Sequence, residues 1–197
     1  MQKGKRTREL IIGAAIKVIA EVGSDNASIL EITKVANVGN GTFYYHFKNK
    51  EEILAAIGEI VTKNMVDSYE IDLASAREDP AMLIAKSTKG MLLKCSEDPV
   101  WAEVIIDALG LRDQTPIFLR GYNKNLIPHI EYGISRNRFD TQLSEDLVEL
   151  IQSINRTALI MIMEGKNKKQ SIIRAIEAKL RILGVQPAEA REIAQAI

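Results

Sequence analysis

Between Ser28 and Lys50 the chain gathers side chains that can bond to flat heterocycles and to a polyanion. Asn40 can pair its amide with an adenine edge, and Thr42 can set its methyl against a thymine methyl. Tyr44, His46 and Lys50 offer a phenol, an imidazole and an ammonium to phosphate oxygens. Gly41 removes a side chain where a backbone would approach closely. Ser28 and Lys50 each stand at a predicted helix start, where free N–H groups attract anions. Tyr45 adds a second exposed ring beside Tyr44. On an arbitrary helix two such tyrosines would be surface or interface residues, and a lone His46 would be structural. Their joint occurrence after a turn points to a nucleic-acid groove.

The residues that could do covalent or metal chemistry do not assemble. Cys95, His46 and His129 lack metal-ligand spacing, and no two histidines stand four apart. Gly39-x-Gly41 resembles the start of a dinucleotide loop, but Tyr44 stands where the third glycine belongs and no strand precedes it. The sequence therefore predicts no enzyme, catalytic residue, metal or cofactor.

The elements that must position these side chains are helical. The first pattern runs from about Arg6 to Val22, with Leu10, Ile11, Ala14, Ala15, Val18, Ile19 and Val22 on one face and Gly23 at its end. Ser28 with Glu31 three residues on forms a capping box for Ile29–Ala36, whose Ile29, Ile32, Val35 and Ala36 are expected inward. Asn37-Val38-Gly39 makes a tight turn, and a short helix follows from Asn40 to about Phe47. Two short helices around a three-residue turn have helix-turn-helix proportions. Phe43 and Phe47 share one face of the second helix, leaving Gly41, Thr42, Tyr44 and Tyr45 opposite.

A long helix is predicted from Lys50 to about Ala74. Asp79-Pro80, Asp98-Pro99 and Thr115-Pro116 each begin another, running to about Cys95, Leu109 and Asn137. Pro128 is expected to kink the last of these. Ser144 opens an apolar helix to about Glu164, closed by Gly165 and Lys166, Lys168 and Lys169. A helix from about Gln170 to Gly184 and a short one from Pro187 complete an all-α chain of about nine or ten helices.

Charge divides the chain as the elements do. Net charge is zero, yet residues 1–50 hold eight Lys/Arg against four Asp/Glu, and the remainder is correspondingly acidic. A basic head on an acidic body suits a DNA partner. Lys3, Lys5, Arg6 and Arg8 are either a solvated tail or an arm that reaches DNA. The single cysteine suits a reducing compartment, and no run of about 18 apolar residues suggests a membrane span. Leu10–Ile16 behind basic residues could mimic a signal peptide, but Lys17 and Glu21 interrupt it, so a cytoplasmic protein is expected.

The stretch Val38-Gly-Asn-Gly-Thr-Phe-Tyr-Tyr-His-Phe-Lys-Asn-Lys-Glu-Glu-Ile-Leu54 resembles the signature of the TetR family of bacterial repressors. Thr42-Phe43-Tyr44, His46-Phe47 and Lys50-Glu51 match its best-known positions, and Ala14-Ala15, Gly23 and Ala27-Ser28-Ile29 agree in type and spacing. The likeness covers about residues 6–55. The family commonly has Gly, Ala and Ser where Asn37, Thr33 and Gly39 stand. Leu30 cannot read a base by a polar contact, which leaves specificity to the Asn40–Tyr45 helix.

The resemblance implies a DNA-binding domain over residues 1–54 and a helical effector-binding and dimerisation domain over 55–197. It implies a homodimeric repressor on a palindromic operator, released by a small hydrophobic or amphipathic ligand. Helices at about 144–164 and 170–184 have the length to form a four-helix bundle with their symmetry mates, though the first could also be the domain's own central helix. Met65, Met91, Cys95, Trp101, Phe118 and Tyr122 are either pocket lining or plain core. Cys95 alone reads as a small buried hydrophobe or a thiol touching ligand. His129 is a polar pocket group or a kink filler. A constitutive DNA-organising factor and an activator are the alternative readings.

Overall fold

Capping side chains set most of the helix starts. The computed structural model describes residues 2–60, 79–109 and 126–197, and these carry ten helical segments and no strand. They are α1 (Gln2–Asn26), α2 (Ile29–Ala36), α3 (Asn40–His46), α4 (50–60), α5 (Pro80–Cys95), α6 (Pro99–Ala108), α7 (126–135), α8 (Glu145–Met163), α9 (Lys168–Ile182) and α10 (Pro187–Ala196). Asp79 accepts from the Ala81 N–H at 3.0 Å and Asp98 from the Val100 N–H at 2.9 Å. Ser144 accepts from the Leu147 N–H at 3.2 Å. Each bond satisfies an N–H that a helix start leaves free.

Several boundaries differ from expectation. α1 begins at Gln2 rather than Arg6, so Lys5, Arg6 and Arg8 stand exposed on a helix and form no loose arm. α9 begins at Lys168, because the Asn167 side chain accepts from the Gln170 N–H at 3.0 Å. Lys168 and Lys169 thus open α9, while Gly165 (φ +79°) and Lys166 close α8, the Lys166 N–H donating to the Met161 carbonyl at 3.0 Å. The helix expected from Pro116 lies outside the described residues up to 125, and with it the position 124 carbonyl that the Pro128 ring would displace; residues 126–135 are helical.

One hydrophobic core joins the head to the body. Ile11, Ile12, Ala15 and Ile19 of α1 are buried together with Ile32, Phe43, Phe47, Ile53 and Ile57. α1 also packs along α6, and α5, α8 and α9 pack on one another with α10 closing over α9 and α5. Leu10 and Val35, both expected inward, are about half exposed and line a shallow groove between α1 and α2 with Arg6 and Lys17. α2 is turned so that Thr33, at 3% exposure, takes the inward place beside Ile32. In the body, Arg138 ties three elements together. It donates to Asp79 at the start of α5 (2.9 Å) and to Glu189 on α10 (2.7 Å), and these hydrogen bonds hold its guanidinium pKa above the ordinary value.

Candidate nucleic-acid interface

The head is built by a cap, a left-handed turn and two phenylalanines. Ser28 accepts from the Glu31 N–H at 3.2 Å, and its own N–H donates to the Glu31 carboxylate at 3.1 Å. Asn37 ends α2 in the left-handed region (φ 53°, ψ 47°), a conformation that asparagine tolerates better than most residues. Val38 N–H returns to the Thr33 carbonyl at 3.0 Å, and α3 starts after Gly39. Phe43 and Phe47 are fully buried with ring centroids 5.7 Å apart.

That anchoring turns the other side of α3 outward. Tyr45 is 83% exposed and Tyr44 56%, and Asn40 and Gly41 are exposed beside them. Tyr44 stands edge-on to Phe43 at 5.6 Å, and half-buried His46 is edge-on to Tyr45 at 5.0 Å. Thr42 is half-buried at the margin. Asn40, Gly41, Thr42, Tyr44, Tyr45 and His46 therefore share one short helix.

Ser28 and Lys50, both expected to hold phosphates, have internal partners. The Ser28 hydroxyl donates to the Glu31 carboxylate at 2.6 Å, a bond that with the Ser28 N–H holds the Glu31 pKa below the ordinary value. The Lys50 ammonium donates to the carbonyls of Asp25 (3.0 Å) and Ala27 (3.1 Å), just before α2. Lys50 so braces the start of α4 against the end of α1, and the N-cap of α4 is Asn49, which accepts from the Glu52 N–H at 2.9 Å. Arg8 lies 5.0 Å over the Phe47 ring, a cation–π contact that pins the first turns of α1 to the end of α3. The sequence reading placed Arg8 in a solvated tail or a DNA-reaching arm and did not foresee this contact.

The family model for the bacterial regulatory proteins of the tetR family matches residues 11–57. The fatty acid metabolism regulator protein of Bacillus subtilis (strain 168) is 39% identical over 192 residues, covering 92% of this chain and 96% of that protein. The chain belongs to the TetR family. The structure of RolR bound to resorcinol superposes with a TM-score of 0.75 at 29% identity, covering all of this chain and 96% of RolR. The structure of the regulator FadR from Bacillus subtilis bound to stearoyl-CoA shares the fold, with a TM-score of 0.66 at 22% identity over 90% of this chain and 98% of FadR.

In this TetR-family regulator the head meets the body at the turn Gly23–Ala27. Gly23 sits at φ +79° and ψ 160°, a region that only glycine occupies without strain. This break exposes the Ser24 N–H, which donates to the Asp107 carboxylate of α6 at 3.0 Å. The neighbouring Ile106 carbonyl accepts from Arg156 of α8 at 3.0 Å. The same turn supplies the two carbonyls that Lys50 holds, and buried Ala27 leads directly into the Ser28 cap. Polar contacts thus run from α8 through the last turn of α6 to the entrance of the helix-turn-helix. Asp107→Ala would leave the buried Ser24 N–H unpaired, a local cost of about 1–3 kcal/mol. Hydrogen exchange of the 24–27 amides is expected to accelerate accordingly; unchanged protection would show that Asp107 does not hold the turn.

The body candidates separate by position. Met91 and Cys95 of α5 are buried in the core at 1% and 3% exposure, and burial pushes the Cys95 thiol up to about 12. A thiol in that state is inert at neutral pH. Trp101 of α6 is half-buried against the same core. His129 of α7 is also half-buried, and desolvation lowers its pKa. Met65, Phe118 and Tyr122 lie outside the described residues.

Proposed function

We propose that the chain is a homodimeric repressor that binds a palindromic operator through α3 and is released by a small hydrophobic or amphipathic ligand. The observation that carries the reading is the exposed face of Asn40, Gly41, Tyr44 and Tyr45 on a helix anchored from behind by Phe43 and Phe47. Asn40 and Thr42 read base edges in the major groove, while Tyr44, Tyr45 and His46 contact the backbone around it. Ser28 holds the frame, its one hydroxyl proton given to Glu31, while Lys50 gives two of its three ammonium protons to carbonyls and keeps one for a phosphate.

The dimer reading draws on α8. Leu150, half exposed, shares one stripe with Ile154, Thr157 and Met161, all of which retain accessible surface. The stripe follows helical spacing and lies beside the face of the buried Ile151, Ala158, Leu159 and Ile162. A second α8 against this stripe would bury it. The effector acts by binding better to a conformer whose two heads no longer match the operator. The turn held by Asp107 and Lys50 is the mechanical link for that shift. Long-chain acyl thioesters are the first effector class to test, because a regulator of fatty acid metabolism is similar along nearly the whole chain.

Selection of sites from random duplexes by the purified protein tests the reading. The expected product is a palindrome with half-sites about 34 Å apart, or a multiple of that. Tyr44→Ala is expected to weaken binding to all sequences alike, and Asn40→Ala to relax preference at one position of each half-site. Failure to enrich any site would sink the regulator reading. Retention of the operator at saturating acyl-CoA, free acyl chain and small aromatic ligands would sink ligand release.

A further inference from the structure

Asn40 does not stand free on the recognition helix. The Thr33 hydroxyl of α2 lies 2.9 Å from Asn40 Oδ1 and 3.0 Å from the Leu30 carbonyl oxygen. Thr33 is 3% exposed, so this hydroxyl is walled in by α2 and α3, whereas Asn40 itself is exposed. From these positions we infer that Thr33 is a positioning residue that turns the carbonyl end of the Asn40 amide into the protein and leaves its NH2 end for DNA. The inference rests on the proposed role of Asn40 as a base reader.

The argument follows from counting donors and acceptors. A threonine hydroxyl has one proton to give. Asn40 Oδ1 at 2.9 Å and the Leu30 carbonyl at 3.0 Å share that one proton, and the bond to Asn40 holds the amide oxygen inward and points the Nδ2 group at solvent. Reading adenine with two bonds requires both ends of the amide, the oxygen accepting from N6 and the nitrogen donating to N7. With the oxygen turned inward to Thr33, only the NH2 end faces the groove. A lone donor pairs with any base that presents an acceptor in the major groove, namely adenine or guanine at N7, guanine at O6 and thymine at O4. Cytosine presents only its N4 donor there and is excluded. The half-site position under Asn40 is therefore degenerate, with cytosine disfavoured, and is not an adenine-only position.

Thr33 lies in the middle of α2, where a side chain facing α3 touches no DNA, so its effect on base choice passes through Asn40 alone. Removing the hydroxyl while keeping the shape frees the amide to rotate and use both ends.

Site selection with the full-length wild type, Asn40→Ala, Thr33→Val, Thr33→Ala and Thr33→Ser tests this. The wild type is expected to enrich adenine, guanine and thymine over cytosine at one position, and Asn40→Ala to make that position random. Thr33→Val is expected to sharpen the same position at least threefold toward adenine, with other positions unchanged. Thr33→Ser keeps the hydroxyl and should keep the wild-type profile. Thr33→Ala repeats the Val result with less bulk, and serves if Val disturbs the packing in a thermal melt. An adenine-only position in the wild type overturns the inference. So does a wild-type profile in both Thr33→Val and Thr33→Ala while Asn40→Ala changes it; the base-reading role of Asn40 then stands without Thr33. If Asn40→Ala leaves the profile intact, the base-reading role fails, and the inference with it. A uniform loss of affinity in Thr33→Val and Thr33→Ala, with no change of base preference, would show a purely structural threonine.

Discussion

Replacing Lys179 by methionine is expected to stabilise the protein by about 1–4 kcal/mol at pH 6, the range seen when buried charges give way to packed apolar groups. Lys179 is 1% exposed on α9, which packs on α5 and α8. Among the described residues its ammonium has one hydrogen bond, donated to the Thr88 hydroxyl of α5 at 2.9 Å, and no carboxylate. Burial lowers its pKa from 10.5 to about 7. Below about pH 7 both the folded and the unfolded chain carry the charge, and the folded state bears the full burial cost. Between about 7 and 10.5 the unfolded chain keeps a proton that the folded chain has shed, so stability rises with pH. Above that window neither is charged and the cost is gone. The shift corresponds to something on the order of 5 kcal/mol across the window.

Methionine is flexible enough to follow the lysine stem. Thr88 loses no essential bond, since its hydroxyl donates to the Ile84 carbonyl at 2.7 Å. Urea unfolding at pH 6, 8 and 10, at one protein concentration, measures the effect. The gap between variant and wild type should narrow steadily as pH rises; parallel profiles, or a variant less stable at pH 6, would refute the buried-charge account.

Lys179 also shows what the sequence conceals. Its neighbours Ile172, Ile176, Leu180 and Leu183 mark the buried face of α9, and helical spacing places residue 179 on that face. A lysine is read as solvated because a buried ammonium is costly, and nothing local signals otherwise. Short-range chemistry was legible by contrast. The Ser28–Glu31 box and the Asp-Pro helix starts join atoms two or three residues apart, so residue type and spacing suffice. The contacts that complete the site span much longer separations. Ser24 meets Asp107 across 83 positions, and Lys50 meets Asp25 and Ala27 across 25 and 23. Thr33 and Asn40 are only seven apart, yet their bond depends on how the left-handed Asn37 turn aims α3 back over α2. The amphipathic pattern foresaw a helix at α2 but placed Val35 inward in place of Thr33, because hydrophobicity alone ranks valine above threonine. What decided the matter was which face α3 covers.

Phe43→Ala is expected to abolish operator binding and to destabilise the head by about 3–5 kcal/mol, the range for deleting a fully buried phenylalanine. Phe43 is 0% exposed, lies 5.7 Å from the Phe47 ring and gives Tyr44 the edge contact that fixes its phenol. Without it α3 loses both its anchor and the orientation of its exposed face. A small unit of one long and two short helices has little stability in reserve, since small units bury a small fraction of their surface. The part of the shared core that α5, α8 and α9 build around Ile84, Leu92, Ile151, Leu159, Ile176 and Leu180 does not include α3, so the body should stay folded. The loss is therefore local: fast hydrogen exchange at the amides of α2 and α3, with protection kept in α5, α8 and α9. Phe43→Leu retains most of the buried volume and should bind with a reduced but measurable affinity. If Phe43→Ala bound the operator as tightly as the wild type, the anchored-helix account of the interface would fail. If α5, α8 and α9 lost protection along with α2 and α3, head and body would be one cooperative unit, and the contacts of α1 with α6 would be what couples them.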